Sequence, residues 1–272
     1  MTSYRALFDL KGRLALITGG AGILGRRFAA GLAEHGADIA IVDLDKAGAE
    51  ALAAELAKAH KVRAQGFAAD IADPAAVKDL AARVESALGP VGILMNNAAS
   101  KGPSLDAFFE PVESFDWAVW REIMDVNLGG MFLMAQTFGA RMAEQGAGSI
   151  IQTASIYGHL APDQRIYEGS EYLGRPINTP AVYTASKGGV IALTRHLATY
   201  WGAKGVRVNA LTPGGVESGQ NDEFKHRYAA RIPLGRMAQG EEMVGAAIFL
   251  ASDASSYITG QNIVVDGGLS AW

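Results

Sequence analysis

Short apolar runs alternate along this chain with longer stretches in which apolar residues return every three or four positions. Leu14–Thr18 is such a run, ending in a glycine cluster, and predicts a buried strand. Helical periodicity follows over 22–35 and stops at Gly36. A second buried run covers 38–42 and ends at Asp43; an alanine-rich helix is predicted over 45–60. Residues 62–69 predict a third strand, and Asp73-Pro74 opens another helix with a cap followed by proline in the first turn. The remaining strands are expected at 92–95, 149–153, 206–211 and Asn262–Val265, with helices over about 116–144, Ala181–Trp201 and 241–251. Strands apolar on both faces that alternate with helices imply an α/β architecture, a seven-stranded parallel sheet covered on two sides. The alternation leaves no room for a second domain, so 1–272 reads as one unit. Residues 159–180 break the pattern with a polar, glycine- and proline-bearing stretch too long for an ordinary strand-to-helix connection. It is either a functional loop or a surface insertion without a role.

Composition narrows the class. Hydrophobic residues make up 49% and charged residues 19%, a globular balance. The net charge of −4 gives no electrostatic case for a nucleic acid or an anionic membrane as partner. With no cysteine, disulfides, thiol nucleophiles and cysteine zinc sites are excluded, and no metal site is expected. Residues 1–13 show no signal-peptide pattern and no apolar stretch reaches membrane-spanning length, so a cytoplasmic protein is expected.

Two constellations carry chemistry. Thr18-Gly19-Gly20-Ala21-Gly22-Ile23-Leu24-Gly25 links the first strand to the first helix, where glycines allow a tight turn and bring N–H groups to a pyrophosphate. Asp43, the acid ending the second strand, can accept hydrogen bonds from both adenosine ribose hydroxyls and would repel a 2′-phosphate. Leu44 and Asp45 follow it, with no cation for such a phosphate, so NAD is the expected cofactor. The other constellation is Tyr183 and Lys187, four apart on one helix face, where an ammonium beside a phenol favours the phenolate. A phenol so tuned can exchange a proton with an alcohol or carbonyl oxygen.

With these residues the chain resembles the short-chain dehydrogenase/reductase family, in its one-domain branch with a doubly wound Rossmann fold. The resemblance runs through the glycine loop, Asp70-Ile71 after the third strand, Asn96-Asn97-Ala98-Ala99 after the fourth, Asn127, Ser155 after the fifth, the Tyr183/Lys187 pair, and Pro213-Gly214 after the sixth. It departs at Ile23, where the family usually has its middle glycine, and at Ala99, in place of another. It implies cofactor contacts from Gly19, Gly22, Ile23, Leu24, Asp43, Leu44, Asp70, Ile71, Asn97, Ala98, Ala99, Pro213, Gly214 and Val216, together with Tyr183 and Lys187. It also implies reversible hydride transfer. Tyr183 would act as acid and base, Lys187 would lower its pKa, Ser155 would orient the substrate oxygen, and Asn127 would hold a relay water. The bland alternatives are that Ser155 caps a turn and Asn127 is a buried helix polar group. By family resemblance a homo-oligomer, a tetramer, is expected, with Trp272 reaching a neighbouring subunit.

The insertion is similar to that of members linked to sugar and surface-polysaccharide metabolism, so a sugar or sugar derivative is the expected small-molecule substrate. Candidate substrate residues are His159, Arg165, Glu168, Asn178 and Gln220. Arg165 suits an anion, unless it pairs with Glu168 and folds the loop. The rival readings are a reductase of an oxoacyl or other small carbonyl compound and a non-catalytic dinucleotide-binding regulator.

Overall fold

The computed structural model describes residues 3–272, so the first two positions of the expected domain lie outside the description. Its centre is a seven-stranded parallel sheet built from β1 (Leu14–Thr18), β2 (Asp38–Asp43), β3 (Ala64–Ala68), β4 (Val91–Asn96), β5 (Gly148–Thr153), β6 (Val206–Pro213) and β7 (Asn262–Val265). The strand order is β3-β2-β1-β4-β5-β6-β7. The chain thus runs outward from β1 to β3, crosses back to β4 and runs outward again. That reversal opens a crevice beyond the C-terminal ends of β1 and β4, the place where doubly wound sheets bind ligands.

Buried apolar side chains on the two sheet faces form two cores. Ile17, Ile39, Ile41 and Ile151 pack under α1 (Gly25–Glu34) on one face, and Leu16, Val42, Leu94 and Ile150 pack under α3 (Pro74–Leu88) on the other. The central strands are apolar on both faces because both faces are covered. The edge strand β3 is only partly buried, which fits its single neighbour.

Helix ends follow the sequence signals. Asp45 accepts from the N–H of Gly48 to cap α2 (Lys46–His60), and Asp73 accepts from Ala75 ahead of Pro74. The predicted 116–144 helix is continuous but not uniform. α5 (Trp117–Met124) passes into a π-helical stretch at Asp125–Gly130 before α6 (Met131–Gln145), ended by Gly146 at φ +74°. Such a widened turn often marks a functional position, and Asn127 lies inside it. The expected last helix begins as a 3-10 turn, Gly240–Met243, before α9 (Val244–Ala251).

Short elements not expected from periodicity fill the gaps. α4 (Leu105–Phe108) lies between β4 and α5, and α8 (Asp222–Ala229) follows β6. The insertion contains a 3-10 turn, Gln164–Tyr167, and a small antiparallel hairpin of Glu171–Tyr172 with Arg175–Pro176. It ends at Pro180, from which α7 (Ala181–Trp201) departs.

Candidate active site

β1, β4 and the glycine loop are stitched together at the crevice. Thr18 Oγ1 accepts from the N–H groups of Asn97 (3.0 Å) and Ala98 (3.1 Å), and Asn97 Nδ2 donates to the carbonyls of Thr18 and Gly19. Gly19 takes φ +59°, and a Cβ there would come within 2.8 Å of Ala98 Cα, so this position needs glycine on two counts. Ile23 has no positive φ; its backbone does not need the missing glycine, and its side chain borders the cleft.

The cleft above this stitch has a volume of about 1030 Å³. Gly19, Gly22, Ile23, Leu24, Asp43, Leu44, Asp70, Ile71, Asn97, Ala98, Ala99 and Val216 all border it. Pro213 does not: it continues β6 and pairs with Val265. Gly214 lines a neighbouring cavity instead. The cleft fits a dinucleotide. The N–H groups of Ile23 and Leu24, ahead of α1, find no acceptor among the described residues, as a pyrophosphate site requires. Asp43 Oδ2 accepts from Ala21 N (3.0 Å) and Oδ1 from Asp45 N (3.1 Å), which fixes the carboxylate at the rim with lone pairs to spare for ribose hydroxyls. Four acids and one lysine, Lys101, border the cleft.

The second cavity, of about 230 Å³, adjoins the first, and Tyr183, Lys101 and Ser218 line both. Ser155 lies in its wall after β5. It also accepts from the Tyr157 N–H at 3.3 Å, so the turn-capping reading holds beside the chemical one. Burial raises the Tyr183 phenol above its ordinary range, and the Ser155 hydroxyl beside it pulls the other way. Lys187 lies buried one turn along α7 from Tyr183. Its ammonium donates to the Thr153 carbonyl at 2.8 Å and sits 6.0 Å from the Tyr183 ring centroid. Burial without a carboxylate partner lowers its pKa to about 8. In this structure the cation is turned to a carbonyl, and desolvation is the largest influence on the phenol.

Asn127 is buried in the π-helical stretch. Its Oδ1 accepts from Ser100 N at 2.7 Å and its Nδ2 donates to Ser100 O at 3.3 Å. The side chain therefore anchors the segment after β4, and the amide expected to hold a water is already engaged at both ends.

The insertion does wall the second cavity, but not through the residues chosen for charge. Arg165 is 86% exposed and forms a two-point pair with Asp163, at 2.9 and 2.8 Å. That pair holds the Asp163 carboxyl down to about 2. Arg165 is therefore neither an anion receptor in the cavity nor the partner of Glu168, which faces Arg227 at 4.0 Å. His159 and Glu168 are exposed and lie outside the cavity wall. Asn178 and Gln220 do line it. The dominant wall was not foreseen: Phe108 and Phe109 at the end of α4, Tyr167 and Tyr172 from the insertion, and Phe224 and Tyr228 from α8. Phe224 and Tyr228 sit four apart, a helical signal in an unassigned stretch, and the Phe108-Phe109 doublet was another.

The sequence profile of a family described as Enoyl-(Acyl carrier protein) reductase matches residues 20–270. A D-threitol dehydrogenase from Mycolicibacterium smegmatis is 38% identical over 273 residues, covering 96% of this chain and 94% of that protein. The chain belongs to the short-chain dehydrogenase/reductase family. A galactitol 2-dehydrogenase (L-tagatose-forming) from Cereibacter sphaeroides is 36% identical and covers 99% of both chains. A gluconate 5-dehydrogenase from Burkholderia cenocepacia, crystallised with NADP and tartrate, superposes with a TM-score of 0.85 at 35% identity, covering 98% of each chain. This member of the family is accordingly an oxidoreductase of CH–OH groups that uses a pyridine nucleotide. No helix among the described residues is long and apolar enough to cross a membrane.

Proposed function

We propose that this protein is an NAD-dependent dehydrogenase that oxidises a secondary alcohol of a sugar alcohol or related sugar derivative. The observation that carries the reading is the meeting of the two cavities at Tyr183, so that one phenol borders both a dinucleotide-sized cleft and a small pocket. The nicotinamide, when bound, supplies hydride acceptance and donation. Tyr183 Oη takes the proton of the substrate hydroxyl in oxidation and returns it in reduction. Ser155 Oγ holds the substrate oxygen and stabilises charge developing on it. Lys187 would hold the nicotinamide ribose and keep positive charge near the reacting groups. Asn127 fixes the segment at Ser100 that borders the cleft, and a relay water would use the second amide proton or lone pair that Ser100 leaves open. Asp43 and Asp70 at the adenosine end support NAD, because a 2′-phosphate would face carboxylates there.

A substrate that is a sugar alcohol is supported by the threitol and galactitol dehydrogenases and by the hydroxyl-bearing side chains among the cavity's aromatics. A homo-oligomer, taken as a tetramer from the family, is supported by exposed apolar surface at Trp117 and Trp272. The experiment is a panel of sugar alcohols, sugar acids and simple alcohols with NAD and with NADP, read by absorbance of the reduced nicotinamide. NAD-linked turnover of sugar alcohols is expected. Turnover confined to oxoacyl compounds would move the protein to the reductase reading, and preference for NADP would remove the Asp43 argument.

A further inference from the structure

One cation borders each of the two cavities, and in both it is Lys101. Its main chain is fixed on both sides. Ser100 is held by the Asn127 amide, and the N–H of Gly102, at φ +72°, donates to Ser100 Oγ at 2.9 Å. The Lys101 side chain reaches over the insertion's hairpin, where its ammonium lies 4.2 Å from the Tyr172 ring centroid. That ring is itself held in place. Phe109 meets it edge-on at 6.4 Å, Tyr172 bridges to Gln220, and Arg175 of the same hairpin pairs with Asp106 at 2.6 Å. Four acids border the cofactor cleft, yet Lys101 forms no ion pair among the described residues. The lining of the second cavity contains no carboxylate. A ring face attracts an ammonium without neutralising it, and the three N–H donors remain for a ligand. Lys101 is exposed, so a ligand can reach it. The pocket thus holds a positive charge in a defined place and supplies no counter-ion for it.

We propose that Lys101 receives an anionic group of the substrate, a carboxylate or a phosphate, at the end away from the carbon being oxidised. The proposal rests on the dehydrogenase reading above and narrows its sugar derivative to an anionic one. Tyr183 and Lys101 line the same pocket, so one polyhydroxy chain meets the phenol with its reacting hydroxyl and the ammonium with its charged end. An ammonium gives charge-assisted hydrogen bonds to either anion and acts as a point charge. The acids of the cleft repel such a group and the carboxylate-free pocket does not, which orients the chain with its charge toward Lys101. A neutral polyol enters the same pocket but gains nothing from the charge. Arg165, the cation that its residue type suggests for this task, is paired with Asp163 outside the cavity wall; Lys101 is the one the fold brings to the substrate.

The test compares one carbon chain with three ends, galactitol, galactonate and galactitol 1-phosphate, with the matching threitol series beside it, in wild type, Lys101→Gln and Lys101→Arg. Wild type should oxidise the carboxylate or the phosphate with a kcat/KM about tenfold or more above that of the neutral polyol, and whichever leads identifies the anion. Lys101→Gln should erase that advantage, mainly through KM, and leave the neutral polyol within about twofold. Lys101→Arg should keep most of it. Added salt should lower kcat/KM for the anionic substrate in wild type and not in Lys101→Gln. Calorimetry should find the same NAD affinity in wild type and Lys101→Gln. A wild-type preference for the neutral polyol, or equal losses on neutral and anionic substrates, would overturn the anion site while leaving the dehydrogenase intact. A loss of NAD affinity in Lys101→Gln would overturn it too, by giving the lysine to the cofactor. A wild type that oxidises no secondary alcohol with either nucleotide would instead overturn the underlying reading.

Discussion

The two cavities that meet at Tyr183 are built in different ways. The cofactor cleft is built on the turns at the ends of β1, β2, β3 and β4, stitched together by short side chains and closed by Glu122, Asp125, Val126 and Tyr183 from the helices. The neighbouring pocket is made of large side chains brought from four separated stretches: α4, the turn after β5, the insertion and α8. A cleft built on backbone turns tolerates little change in shape, because its glycines and caps are set by φ angles and close approach. A pocket made of side chains can change its ligand by exchanging aromatics and amides while the strands beneath stay fixed. Under the proposed function the first region holds the cofactor and the second receives the substrate, with Tyr183 bordering both.

The comparison breaks most visibly at the shared residue. Tyr183→Phe should cut kcat by about 10²–10⁴-fold while nucleotide affinity stays near wild type, because only the proton-carrying oxygen is lost; calorimetry with NAD and steady-state rates together check it, and near-normal turnover would remove the phenol from the mechanism. Lys187 offers a test of pH. Its pKa is depressed in the fold to about 8, so its burial costs stability fully below that value and progressively less as pH rises toward 10.5. The stability of Lys187→Met relative to wild type should therefore be greater at pH 7 than at pH 9.5, by about 2 kcal/mol. Parallel denaturation curves at the two pH values would show no such cost.

On the cofactor side, Asp43→Asn should weaken NAD binding by about 1.5–3 kcal/mol, roughly ten- to a hundredfold, and narrow its advantage over NADP; an unchanged ratio of affinities would show that selection lies elsewhere. Gly19→Ala should cost about 1–3 kcal/mol through its positive φ and the approach to Ala98, seen as a melting temperature lower by several degrees. The smallest effect belongs to the insertion's exposed face. Arg165→Ala should leave kinetics within about twofold and the melting temperature near wild type, since a solvent-screened pair contributes little. A large rise in KM would return Arg165 to the site.

Ser155 and Asn127 entered through the family resemblance; the sequence by itself determined the sheet, its parallel direction, the glycine loop, Asp43 at the end of β2 and the Tyr183/Lys187 spacing. These are legible because strand burial, turn chemistry and helical spacing are local: each is written in neighbouring residues. The roles of charged loop residues were not legible in the same way. Arg165 reads as an anion receptor by type, yet it folds back on Asp163 two residues away, and spacing does not decide between solvent and cavity. Only the tertiary structure turned Lys187 toward Thr153 and engaged both ends of the Asn127 amide on Ser100. It alone gathered Phe108, Phe109, Tyr167, Tyr172, Phe224 and Tyr228 around the pocket. The physical reason is distance along the chain. Those contacts join segments tens of residues apart, and whether a polar atom is paired or stranded depends on every element packed around it.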